Sequence, residues 1–160
     1  MSTSRTDTTT ITVEPDMPAV RLQRDFDAPP ALVFRAWADP GLVVRWLGPR
    51  DLEMEVERWD CRTGGAYRYV HRRGDDEFWF HGSFHEAREG ERIVQTFTWE
   101  GAPDSVALET MTFTDLGDGR TRMESISLAS SYEARDAMIA SGMEHGIRDS
   151  FLRLDEVLAS

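Results

Sequence analysis

The sequence predicts an α+β domain in which an antiparallel sheet of about six to seven strands faces one long C-terminal helix. Three observations carry that expectation. "LEMEVER" puts Leu52, Met54 and Val56 on one face and Glu53, Glu55 and Glu57 on the other, the alternation of a strand with one buried and one wet side. Glycine-bearing turns, "RRGDD" at 72–76 and "GDG" at 117–119, separate further alternating runs, as in sheets built from hairpins. The chain closes on "SGMEHGIRDSFLRLDEVLAS", where Met143, Ile147, Phe151, Leu154 and Leu158 recur every three or four residues and make one apolar helical stripe.

Taken in order, residues 1–18 read as a flexible N-terminal tail, within which "TITV" could form a short strand, and residues 19–160 as a single domain. "AVRLQRDFD" predicts the first strand, with Val20 and Leu22 alternating against Arg21 and Gln23. Pro29 and Pro30 suit the first turn of a helix, where a missing N–H costs little, and Val33, Phe34 and Trp37 give it an inward stripe. Asp39 then N-caps a second short helix with Pro40 at its first position; Gly48 supplies a terminating residue free to take positive φ, and Pro49 forbids continuation. After "LEMEVER", a hairpin is expected between Gly64 and His85, then strands at "ERIVQTFTW", "ALETMTFTDL" and "TRMESISL". "SYEARDAMIA" predicts a short helix before the terminal one. A highly curved sheet gripping that last helix can leave space between the two.

Composition excludes several functions. The 160 residues hold 18 basic and 29 acidic side chains, a net charge of -11, which repels phosphate backbones and anionic lipid, so neither nucleic acid nor membrane is expected as a partner. Every basic residue is arginine, so no Schiff-base or P-loop lysine exists. Cys61 is alone, which rules out an internal disulfide and a CxxC metal knuckle. The opening "MSTSRTDTTT" lacks the apolar core of a signal peptide, and no run approaches a membrane span, so a cytoplasmic location is expected. A homodimer is compatible with the sequence.

"DAPPALVFRAW", "RWLGP", "GGAYRY", "HGSF", "ERIVQTFTW" and "GMEHGIRDSFLRLDEVL" resemble, in this order and over roughly residues 18–160, the START-like SRPBCC superfamily. Within it they resemble the homologues of the C-terminal domain of the heat-shock protein 90 ATPase activator. The resemblance implies the helix-grip fold shared with polyketide cyclases and the birch-pollen allergen: a bent antiparallel sheet around the C-terminal helix, enclosing an apolar cavity. It implies binding of a small hydrophobic or aromatic molecule there. The alternatives are a cyclase or hydratase-type enzyme, polyketide cyclase/aromatase-like and without metal or organic cofactor, and a chaperone ATPase regulator by family label only. Many relatives carry a large aromatic where this chain has Ile147, so the helix side of the cavity is expected to be less crowded. The separate N-terminal domain of the eukaryotic activator has no counterpart in this sequence, which argues against the chaperone role.

The hairpin concentrates six aromatic residues and three of the four histidines. Tyr67, Tyr69 and His71 share a face. A four-residue loop at 73–76 sets Tyr69 opposite Phe80, His71 opposite Phe78 and Gly65 opposite Phe84; a three-residue loop would set Tyr69 against His81 instead. The first is preferred, because it places aromatics against aromatics. A metal site would draw on His81 and His85, but residues i and i+4 of a strand stand ~13 Å apart, too far to share one ion. No metal site is therefore expected. His71 as acid or base with Tyr69 as donor is a weak catalytic candidate, since no nucleophile–base pair accompanies them. A chamber wall remains, for which the candidate ligand-binding residues are Trp46, Tyr67, Tyr69, His71, Phe80, Phe84, Phe97, Trp99, Met111, Met143, Ile147 and Phe151. Strand parity leaves Trp59 and Trp79 open, because Trp59 breaks the alternation of its own strand. Arg62 and Arg68 could hold a carboxylate if they point inward, and otherwise lie on the wet face.

Overall fold

The chain runs β1 (Thr10–Val13), β2 (Ala19–Phe26), α1 (Pro30–Ala38), α2 (Pro40–Val43), β3 (Glu53–Trp59), β4 (Ala66–Arg73), β5 (Asp76–Arg88), β6 (Arg92–Trp99), β7 (Ala107–Gly117), β8 (Arg120–Leu128), α3 (Tyr132–Ala140) and α4 (Met143–Ala159) in a computed structural model that describes residues 8–160. The strands form one antiparallel sheet in the order β1-β2-β8-β7-β6-β5-β4-β3. The expected fold class is therefore the observed one, a helix-grip, with eight strands in place of six or seven. The additional strand is β1, which lies inside the stretch read as a tail. Its four residues pair Thr10 with Gln23 and Val13 with Val20, so "TITV" is an edge strand. Of that stretch, residues 1–7 fall outside the described residues.

Alternation fixes which side of the sheet faces inward. On β7, Ala107, Met111 and Phe113 are buried while Leu108 and Thr114 are not. On β2, Val20, Arg24 and Phe26 face the core. The inner face meets α4 through Phe151 and Leu154, and meets α1 through Val33, Phe34 and Trp37. Phe26, Trp37, Trp46 and Phe151 interlock there with centroids 4.6 to 6.4 Å apart, mostly edge to face, an arrangement that adds to simple area burial. α2 begins as expected, with the Asp39 carboxylate accepting from Gly41 N at 2.8 Å, but it is helical only through Val43; turns carry the chain on to Gly48.

The segment after α2 is latched to α4. Gly48 N donates to Ser150 Oγ (2.8 Å), Arg153 Nη1 donates to Gly48 O (2.9 Å), and Arg50 N donates to Asp149 Oδ2 (2.6 Å). Gly48 has φ 97°, and a Cβ built on it would lie 2.8 Å from the His71 ring. Both the backbone conformation and the close approach demand glycine. Among the described residues, no helix is long and apolar enough to cross a membrane.

Candidate functional site

Between the inner face of the sheet and a lid of residues 47–49, α3 and α4 lies a hollow of about 360 Å³. Its size falls in the range of small-molecule sites. The hairpin of β4 and β5 forms one wall, and its register is the preferred one, with Tyr69 opposite Phe80 and His71 opposite Phe78. Arg73 also pairs with Asp76, so the turn is one rung tighter than a four-residue loop. Phe84 N donates to Gly65 O at 2.9 Å, which puts Phe84 over the glycine.

This register builds a ladder of rings. Tyr69 stacks on Phe80 (5.1 Å between centroids) and Phe80 on Phe97 (5.4 Å), while Tyr67 and His71 flank Tyr69 at 6.0 and 5.1 Å. The Tyr67 hydroxyl donates to Thr96 O at 2.7 Å by crossing Gly82, where a Cβ would collide with it. Its polar end is thus occupied and its ring body is left to the hollow. The Tyr69 hydroxyl has no hydrogen-bond partner among the described residues. Burial, and secondarily the charge of Glu109, raises the pKa of both phenols. The indole N–H of Trp46 donates to Ala36 O (3.0 Å) and that of Trp59 to Trp37 O (2.9 Å), so both present apolar bodies.

Of the residues expected at the site, Tyr67, Tyr69, His71, Phe80 and Phe97 line the hollow from the sheet side together with Met111 on β7, Trp46 lines it from the turn after α2, and Met143, Ile147 and Phe151 line it from α4. Two do not. Phe84 is 1% exposed and packs behind the wall against Trp59 and Tyr67 at 5.9 and 5.2 Å. Trp99 pairs with Phe80 across the strands, but it sits at the end of β6 and is 44% exposed, with Gly101 against its ring. Trp59 turns inward because a bulge between Val56 and Arg58 resets the alternation of β3. Trp79 points outward and carries the Arg68 guanidinium over its face at 4.0 Å. Arg68 also pairs with Glu100 and Glu57, and Arg62 with Asp60, so neither arginine serves the hollow.

The weak catalytic candidate His71, the histidine weighed as a metal ligand and the lone cysteine meet different surroundings. His71 Nε2 lies 3.2 Å from Leu47 O, and burial lowers its pKa, so the ring is neutral at neutral pH. His81 is outside the hollow, with Nδ1 2.9 Å from Glu100. Burial pushes the Cys61 thiol up to about 11, which leaves it protonated. Among the described residues, no group of three His, Cys, Asp or Glu side chains could hold a metal ion.

The sequence reading missed Trp37, Gln95, Glu109, Ser127 and Ser150, all of which line the hollow. Glu109 was within reach of parity: it stands two residues before Met111 on one strand and so shares its face. Gln95 stands likewise two before Phe97. A second depression, about 390 Å³, lies on the outer face over β1, β2, β7 and β8. It is bordered by Thr10, Arg21, Thr112 and Glu124, hydroxyls and charges already suited to water, and it has no aromatic wall.

The family model described as "Activator of Hsp90 ATPase homolog 1-like protein" matches residues 27–159. Among solved structures, a protein from Arthrobacter aurescens is similar at 25% identity, with TM-score 0.85, covering 94% of this chain and 91% of that one. One from Chromobacterium violaceum is similar at 27% identity, with TM-score 0.80, covering 89% and 98%. The AHSA1 protein from Silicibacter pomeroyi shares the fold at 18% identity, with TM-score 0.72, covering 88% and 97%. No curated protein matches the sequence.

Proposed function

Since the chain belongs to the family of Activator of Hsp90 ATPase homolog 1-like proteins, within the START-like SRPBCC superfamily, we propose that it binds a small hydrophobic or aromatic molecule in the hollow between sheet and C-terminal helix. The observation that carries the proposal is the ladder Tyr69–Phe80–Phe97 facing a space of about 360 Å³ rather than another layer of side chains. Rings offer wide apolar faces, and burial of apolar ligand surface contributes ~25 cal/mol per Å². Met111, Met143 and Met138 let the wall adjust to ligand shape. The partnerless Tyr69 hydroxyl gives one orienting hydrogen bond. Catalysis by His71 and Tyr69 has less support, because a neutral imidazole engaged with a backbone carbonyl and a phenol of raised pKa form no relay.

Trp37, Trp46 and Trp59 line the hollow, so a ligand that enters it changes their fluorescence. Titration with 1-naphthylmethanol should give saturable quenching at one molecule per chain, confirmed by calorimetry. Linear, non-saturating quenching by this and other uncharged naphthalene and indole probes would overturn the reading.

A further inference from the structure

The wall of the hollow is polar along one rung of the sheet. Gln95, Glu109 and Ser127 are successive cross-strand partners on β6, β7 and β8, and all three line the hollow. The Glu109 carboxylate accepts from Gln95 Nε2 at 3.0 Å and from Ser127 Oγ at 3.2 Å. A carboxylate has room for about four hydrogen bonds, so part of its capacity faces the hollow unused. The chain is rich in arginine, and its surface carboxylates are widely paired, as Asp25 is with Arg122 and Glu100 with Arg68. Among the described residues, no ion pair includes Glu109. Glu109 is half-buried, a charge partly withdrawn from water without a counter-ion is costly, and desolvation accordingly raises the pKa of this carboxyl. A ligand that brought its own cation would remove that cost. The rings of Tyr67, Tyr69, Phe80 and Phe97 on the same wall offer π faces to the same cation.

We propose that Gln95, Glu109 and Ser127 form the polar recognition point of the hollow, and that the ligand is an apolar or aromatic molecule bearing a protonated amine. This rests on the reading of the hollow as a ligand site and adds the chemical class. An anionic ligand is disfavoured by the same carboxylate, and a neutral hydroxyl gains one hydrogen bond without charge compensation.

Three probes with one apolar body separate these chemistries: 1-naphthylmethylamine, 1-naphthylmethanol and 1-naphthylacetate, titrated into the full chain at pH 7 by calorimetry. The amine should bind about tenfold more tightly than the alcohol, and the anion more weakly than both. Glu109→Gln should bring the amine-to-alcohol affinity ratio close to one, and Glu109→Asp should retain a preference for the amine. If wild-type protein binds the alcohol as tightly as the amine, or if Glu109→Gln keeps the ratio, this inference fails while the hollow remains a ligand site. If none of the three binds, both readings fall together. Should Glu109→Gln not fold, the order of the three affinities on wild-type protein decides the matter alone.

Discussion

Arg24 and Asp155 form a two-pronged ion pair across the core, with both N···O distances at 2.7 Å, and so fasten the inner face of β2 to the last turns of α4. Arg24 also donates to Thr9 Oγ1 at 3.0 Å, which brings the segment preceding β1 to the same point. Their side chains are only 2% and 13% exposed. Removing one partner of such a pair strips a buried charge of its bidentate contact, a loss larger than the pair's own net worth. Asp155→Ala is expected to cost about 3 kcal/mol in urea unfolding, and Asp155→Asn less. A loss below ~0.5 kcal/mol, the range of exposed pairs, would mean that this pair adds little to the hold on α4.

Gly48 and His71 define the mouth of the latch between α2 and α4. Gly48→Ala meets two penalties, a left-handed backbone conformation and a Cβ 2.8 Å from the imidazole. About 1–3 kcal/mol is expected for the strain. In a His71→Ala background the clash disappears and only the backbone share remains. A double-mutant cycle read by thermal unfolding should therefore show a coupling between the two sites, and additive losses would refute the contact.

His71 also sets a pH dependence. Burial, aided by the charge of Arg153, lowers its native pKa, so on acidification the unfolded chain takes up a proton near pH 6.5 that the native protein refuses. This group therefore contributes nothing at pH 8 and destabilises increasingly below about pH 6.5. Unfolding free energies measured from pH 8 to 5 should fall less steeply in His71→Gln than in wild type. Parallel curves would show that the ring titrates normally.

Glu109 acts in the opposite window. Its native pKa is raised by burial, so the stability tied to its proton is full below the unfolded value near 4.5 and is lost as pH rises through the native one. Glu109→Gln removes that loss. It should raise stability at pH 7–8 by on the order of 1 kcal/mol, with the gain shrinking toward pH 4.5. Thermal melts at both ends of this range test the sign, and a destabilised variant at pH 8 would contradict the burial argument.

Local rules carried the fold a long way. Alternation in "LEMEVER", the turn at 73–76 and the stripe from Met143 to Leu158 were enough for the sheet, the hairpin register and the gripping helix, because each is decided by neighbours in sequence. What resisted was decided elsewhere. The inward turn of Trp59 depends on a bulge between Val56 and Arg58, which counting parity along β3 does not reveal. Trp99 shares the parity of Phe97 yet lies past the rim, since parity tells the face and not how far the cavity extends. Glu109 was legible by the same parity as Met111 but looked like surface, a prior that holds for most glutamates and fails where a sheet wraps a hollow.

Ile147 gives the last prediction, because it tests whether the space itself matters. It lines the hollow from α4 on the side facing the ring ladder, and its side chain is half-buried. Tryptophan there adds a large flat body directed into open space, so the usual penalty for overpacking a filled core does not apply in full. Ile147→Trp is expected to keep the thermal midpoint within a few degrees of wild type while weakening 1-naphthylmethanol binding by about tenfold, the loss of a substantial part of the apolar contact. If the variant unfolds early, the hollow is narrower than its lining residues imply, and if it binds the probe as before, the ligand enters elsewhere. Ile147→Ala widens the same space and serves as the converse, with unchanged or stronger binding of larger naphthalene derivatives.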